Sequence, residues 1–244
     1  MSTNSVERFV RLLKQSPFGS VFNPWWEVDE QNDIARIAPM IRRQQLRAYL
    51  EQRLGRAKIA VIGEALGYRG GHFTGIPMTS ERMLLGKRNT VAALCERRKR
   101  MARSKNGAHR ASLQILVTLK PRRTSNPSVC PDGFSEPTAT IVWGALLKSG
   151  VVPDEFVLWN AFPWHSFDPS RGLLSNRMPN KSEQLCGRAV LKAFLALFRC
   201  EEIVALGKIA AAQLERLGVN AQCVRHPASG GARLFRQQIA KIVR

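Results

Sequence analysis

Four short segments of this 244-residue chain hold the residue types suited to chemistry on a bound ligand. They are Gly63-Glu-Ala-Leu-Gly-Tyr-Arg-Gly-Gly-His-Phe-Thr-Gly-Ile-Pro77, then Asn160-Ala-Phe-Pro-Trp-His-Ser-Phe167 with Ser175-Asn-Arg-Met-Pro179, then Gly207-Lys208, and last His226-Pro-Ala-Ser-Gly-Gly-Ala232. Five glycines between Gly63 and Gly75 let the backbone approach a ligand closely and aim N–H groups at it. An asparagine reads a donor–acceptor pattern, and histidine or glutamate can give, take or stabilise charge. Neither Gly-x-Gly-x-x-Gly nor Gly-x-x-x-x-Gly-Lys-Ser/Thr occurs, which argues against a nucleotide cofactor. The four histidines do not fall at metal-ligand spacings and there is no Cys-x-x-Cys, so no metal is expected. Cys95, Cys130, Cys186, Cys200 and Cys223 are odd in number and widely spaced, the pattern of reduced thiols in a cytosolic compartment.

The elements that must position these segments are read from short apolar runs. Lys58-Ile-Ala-Val-Ile-Gly63, Phe156–Asn160, Glu202–Gly207 and Ala221–Arg225 read as buried strands, the first ended by its glycine. Helices are expected over 5–15, Pro137–Leu147, Ser182–Phe198 and Lys208–Leu217, and from Ala232 onward. A further amphipathic stretch runs from Asp33 to Leu54 with Ile34, Ile37, Ile41, Leu46 and Leu50 inward; Pro39 kinks it or marks its start. Strands alternating with helices predict a three-layer αβα sandwich around a central four-stranded parallel sheet. All four chemistry-bearing segments then follow strands, at the end of the sheet where open α/β folds bind ligands. A single domain over 1–244 is expected, with a helical extension over 1–55 that includes an exposed Trp25-Trp26 pair, and a basic insertion over about 97–135.

Charge narrows the partner. Lys and Arg total 38 against 18 Asp and Glu, a formal +20 that attracts polyanions, nucleic acid first. Ten of these cations lie between Arg97 and Arg123 with no acid among them, which reads as a phosphate-contacting surface. Within that stretch Leu113–Leu119 is an edge strand or part of a hairpin. With 44% hydrophobic and 23% charged residues, the composition excludes a disordered or collagen-like chain. No apolar run approaches a membrane span and the start has no apolar signal region, so a cytoplasmic protein is expected, nucleoid-associated if bacterial, with no membrane partner.

In order and spacing these segments resemble the uracil-DNA glycosylase superfamily over about residues 56–240. Gly63-Glu-Ala-Leu-Gly67 resembles the first signature of its family 4, usually Gly-Glu-Ala-Pro-Gly, and Phe73-Thr-Gly75 the aromatic-x-Gly that follows. Leu158-Trp-Asn160 is similar to the strand end that carries the base-reading asparagine, and Asn176-Arg-Met-Pro179 to the Asn-Arg-x-Pro element. Arg225-His-Pro-Ala-Ser229 resembles the His-Pro-Ser signature with one extra residue. The sequence departs from family 4 at Leu66, where proline is usual, and in its cysteines. Only Cys186 lies near a cluster position, so no iron–sulfur cluster and no other cofactor is expected. At Ala65 other branches have Asp or Asn, which handle the attacking water.

The resemblance implies excision of uracil from DNA, leaving an abasic site, after the base is flipped from the stack. Phe73 would be its platform, within a pocket formed with Gly63, Ala65, Gly67 and Tyr68, and Asn160 its reader through O4 and N3–H. His226 would stabilise the anionic base, and Glu64 would serve the water or the cationic sugar, with Asp168 a weaker rival. Arg69, Arg177, Arg225, Ser229 and Gly230 would contact phosphates, and Trp25-Trp26, Trp164 and His165 would touch DNA or pack in the core. The implied partner is DNA containing uracil or an abasic site, bound by a monomer. The alternative is a binder of damaged or abasic DNA with slow or product-trapped catalysis.

Overall fold

The computed structural model describes residues 3–87, 117–119 and 121–243. Arg97–Arg100 and the rest of the basic insertion up to residue 116 lie outside the described residues, as does most of Leu113–Leu119; the described Val117–Leu119 form no strand.

Four parallel strands make the central sheet: β2 (Ile59–Ala65), β3 (Phe156–Phe162), β5 (Glu202–Leu206) and β6 (Gln222–Val224), in the order β3-β2-β5-β6. A second ribbon pairs β1 (Val21–Phe22) antiparallel with β4 (His165–Ser166). The longer helices are α1 (Thr3–Leu12), α2 (Ala38–Arg53), α5 (Pro137–Lys148), α6 (Lys181–Leu197), α7 (Lys208–Glu215) and α8 (Ala232–Ile242), with short α3 (Gly71–Thr74) in the glycine-rich loop and short α4 (Glu81–Leu84) just after it.

The alternation of β3 shows how both faces are covered, since successive side chains point to opposite sides. Trp159 meets Phe9 of α1 at 5.1 Å and stacks on Phe194 of α6 at 4.9 Å. Phe156, of opposite parity, meets Trp143 of α5 edge-on at 4.8 Å. Each such ring pair adds about 0.5–1.5 kcal/mol beyond the area it buries. Asn180 starts α6 with a reciprocal capping box to Glu183.

Three expectations are corrected. Gly63 does not end its strand: β2 continues to Ala65, because Gly63 pairs with Asn160 and Ala65 with Phe162 in the ladder to β3. Ile34 and Ile37 are exposed rather than inward, because the helix starts only at Ala38 with Pro39 in its first turn. Trp25 is fully buried, and its Nε1 donates to Gly75 O at 3.1 Å, while Arg43 lies over the half-buried Trp26 ring.

The N-terminal segment therefore braces the glycine loop from behind. Gln45 of α2 donates to Thr74 O at 2.9 Å, and buried Arg42 pairs with buried Asp33 at 2.6 Å while donating to Pro24 O and Glu27 O. Gly75 has a left-handed φ of +70°, and a Cβ there would fall 2.7 Å from Arg42 O. Only glycine lets the loop lie this close to α2.

Candidate active site

The carboxyl ends of β2 and β3 lie side by side, which puts Gly63 opposite Asn160. A Cβ on Gly63 would come 2.5 Å from the Asn160 amide, so the glycine is what gives that side chain its room. Asn160 is buried. With its amide oriented to satisfy both ends, Nδ2 donates to Trp159 O at 3.2 Å and Oδ1 accepts from the Leu66 N–H at 3.3 Å. An asparagine amide has two donors and two acceptor sites. One of each is engaged with the backbone, and one of each remains for a ligand. A proline at position 66 would have no N–H to give; the departure from the usual signature is thus part of what orients Asn160.

Leu66 itself is buried, and a Cβ on Gly71 would sit 2.3 Å from its Cδ1. Beyond it, the Tyr68 N–H donates to Asn176 Oδ1 at 3.0 Å, and Arg69 Nε donates to the Tyr68 hydroxyl at 2.8 Å. The chain here is thus tied to the Asn-Arg-x-Pro element. Phe73 is fully buried, and Phe134 stacks on its ring at 4.4 Å with the planes 4° apart. A base that stacks on that face of Phe73 must displace Phe134.

His226 follows the edge strand β6 and is half-buried beside the start of α7, where a Cβ on Gly207 would lie 3.4 Å from its own. Its Nδ1 accepts from the Ala228 N–H at 3.1 Å, so in the neutral ring the proton sits on Nε2. Burial first and the Arg225 charge second hold its pKa below the ordinary histidine value, keeping a neutral donor at neutral pH. The turn after it needs left-handed backbone at Ser229 (φ +51°) and Gly230 (φ +77°), and both are exposed, as are Arg225 and Arg69. A Cβ on Gly231 would fall 2.0 Å from His226 O.

Glu64, on β2, has its pKa raised by burial. Asp168 is instead held below the usual range by the hydroxyl and N–H of Ser170, at 2.7 and 3.0 Å, and it belongs to a surface turn. Arg177 does not face outward. Its donors go to both Glu183 oxygens at 2.7 Å and to Ser20 O, Phe167 O and Met178 O. All five guanidinium N–H groups are engaged inside the protein, which leaves none for a phosphate.

Trp164 and His165 are likewise internal. Trp164 Nε1 donates to Leu13 O at 2.9 Å. His165 Nε2 lies 2.7 Å from Ser175 O and its Nδ1 3.0 Å from His72 Nδ1, while His72 Nε2 lies 3.1 Å from Asp29 Oδ2. Burial first, then the neighbouring His72, pushes the His165 pKa down to about 3. An unfolded histidine titrates near 6.5, so the native state gains stability above that pH and loses it as pH falls toward about 3. His165 alone is expected to lower unfolding free energy by about 1.4 kcal/mol per pH unit below pH 6.5. Denaturant titrations at stepped pH should show this slope, and His165→Gln should flatten it.

Sequence reasoning missed Phe134 and Glu136, which precede α5 and carry no motif. Among the described residues no three His, Cys, Asp or Glu converge as metal ligands, and Cys130, Cys186, Cys200 and Cys223 are all free thiols. They do not fit a four-thiolate cluster. Among the described residues no helix is long and apolar enough to cross a membrane.

Comparison with known proteins bears on the family and on the fold. A family model described as the Uracil DNA glycosylase superfamily matches residues 52–242. Among solved structures, the wild-type SMUG2 of Pedobacter heparinus is similar in fold, with a TM-score of 0.59, 11% identity, and 97% of this chain and 95% of that chain covered. No curated protein matches the chain.

Proposed function

Because the chain belongs to the uracil DNA glycosylase superfamily, we propose that it is a monofunctional DNA glycosylase that flips uracil out of DNA and hydrolyses its N-glycosidic bond. One observation carries this reading. Buried Asn160, at the carboxyl end of the parallel sheet, keeps one donor and one acceptor free after satisfying Trp159 O and the Leu66 N–H. That pair matches O4 and N3–H of uracil. Cytosine presents the reverse pattern and would leave two buried groups unpaired, at about 1–3 kcal/mol each.

The other roles belong to the same proposal. The flipped base displaces Phe134 and stacks on Phe73, in a pocket lined by Gly63, Ala65, Gly67 and Tyr68. As the bond breaks, the electron pair leaves with the base, and the His226 Nε2–H stabilises the charge growing on its O2. Glu64 faces the sugar, where a carboxylate offsets oxocarbenium charge. Exposed Arg69 and Arg225, and the turn at Ser229 and Gly230, contact phosphates within the field of a +20 chain. The whole chain acts as one domain and as a monomer.

The test is incubation in EDTA with an end-labelled oligonucleotide holding one uracil, followed by alkali. Scission only after alkali, with several products per protein, is the expected result. One product or fewer with a persistent complex would favour the product-trapped binder. No scission on single or double strands would overturn the reading.

A further inference from the structure

Glu136 stands immediately before α5, yet its side chain does not cap that helix. Its Oε2 is buried with no hydrogen-bond partner, the only carboxylate oxygen so placed among the described residues. The carboxyl group instead fills the space left by the glycine loop. A Cβ on Gly70 would come 1.9 Å from Oε2 and 2.8 Å from Cδ, and one on Gly67 3.9 Å from Oε1. An unpaired buried acceptor costs about 1–3 kcal/mol, so stability gives no reason for the arrangement.

The helix brings this group to the site. Residues 149–155 connect α5 to β3, so the helix runs back along the sheet and its first residues lie at the carboxyl end of β3. Trp143 marks the register, because its ring packs on Phe156 at the start of the strand. From Trp143 back to Glu136 the chain rises about 10 Å. From Phe156 on to Asn160 it advances about 13 Å. Phe156 and Asn160 share a face, the one α5 covers, so Glu136 is level with Asn160 and on its side of the sheet. Trp143 Nε1 also donates to Met78 O at 3.1 Å, and Met78 Sδ lies 3.4 Å from a Cβ on Gly63, the residue Asn160 lies against.

Resting on the glycosylase reading above, we propose that Glu136 is the general base for the attacking water. Its carboxylate takes a proton from water as the water oxygen bonds to C1′. The C1′–N bond breaks, and its electron pair leaves with the base. This supplies from α5 the function that Ala65 cannot, and leaves Glu64 to the sugar cation.

Burial alone raises the Glu136 pKa to about 7, so both protonation states are populated at neutral pH. The titratable groups on the neighbouring elements are Tyr68 and Arg69 of the loop, Glu81 and Arg82 of α4, Asp132, and the exposed Arg233, Arg236 and Lys241 of α8, which packs against α5. Glu81 Oε2 accepts from the Phe134 N–H at 3.4 Å, Arg82 Nε donates to Gly133 O at 2.9 Å, and Asp132 pairs with Arg82 and Lys87. None of these reaches Oε2.

The experiment is single-turnover excision from a uracil-containing duplex across neutral pH, for wild type, Glu136→Gln and Glu136→Asp, with binding to an abasic-analogue duplex measured in parallel. The wild-type rate should climb with pH and level off above about 7. Glu136→Gln should be roughly 100-fold slower on the plateau with that limb gone, and Glu136→Asp should recover part of the rate and keep a limb, with binding unchanged in both. Glu136→Gln within about threefold of wild type, or slow but with the limb intact, would overturn the proposal alone, since general-base loss should be about 100-fold. If Glu136→Gln does not fold, a wild-type profile without a limb near neutrality overturns it. No excision by wild type would overturn the glycosylase reading, and this proposal with it.

Discussion

Asn160→Asp is expected to slow uracil excision by about three orders of magnitude while leaving the fold intact, the combined effect of two polar mismatches at a buried position. The substitution keeps an oxygen to accept the Leu66 N–H, so the loop from Gly63 to Phe73 stays in place. What it removes is the amide donor. An ionised carboxylate has only acceptors, and one of them would face O4 of uracil at a buried position. The lost hydrogen bond and the acceptor–acceptor contact each cost about 1–3 kcal/mol, and every 1.4 kcal/mol is tenfold. Single-turnover rates at matched pH, beside melting curves of both proteins, measure it. A rate within threefold of wild type would remove Asn160 from the reader's role, since the predicted loss is about 1,000-fold.

His226→Ala should cost about 100- to 1,000-fold in the same assay, or roughly 2.7–4 kcal/mol, the loss seen when one preorganised donor to developing charge is deleted. The Ala228 N–H occupies Nδ1 and thereby fixes Nε2 as the donor. The depressed pKa keeps the ring neutral, so it enters the reaction as a dipole already aimed rather than as a cation that must be desolvated. Binding to abasic DNA should barely change, because the charge on the base exists only as the bond breaks. Equal losses in binding and in rate would mean that His226 holds the turn through Ser229 and Gly230 instead.

The elements of this protein were legible because its strands are short apolar runs with a glycine, asparagine or histidine at or near the carboxyl end of each. Phe156–Phe162 and Glu202–Leu206 begin where the runs begin, and α6 begins at its capping asparagine. Errors came where a side chain's fate depends on distant chain. Trp25 looked exposed beside prolines and a glycine, but Gly75, fifty residues on, accepts its indole N–H. Arg177 looked like a phosphate contact within a basic chain. Glu183 one turn into α6, and the carbonyl of Ser20, claim it instead.

By itself the sequence determined the alternation of strand and helix, the polar residues at the strand ends and the positive field, because these depend on local pattern and composition. Tertiary structure alone decided that the Leu66 N–H orients Asn160, that Phe134 covers Phe73, and that a carboxylate before α5 reaches the glycine loop. Those contacts join segments tens of residues apart. Whether a glutamate caps its own helix or turns into a space left by a missing Cβ is settled only when the two surfaces pack.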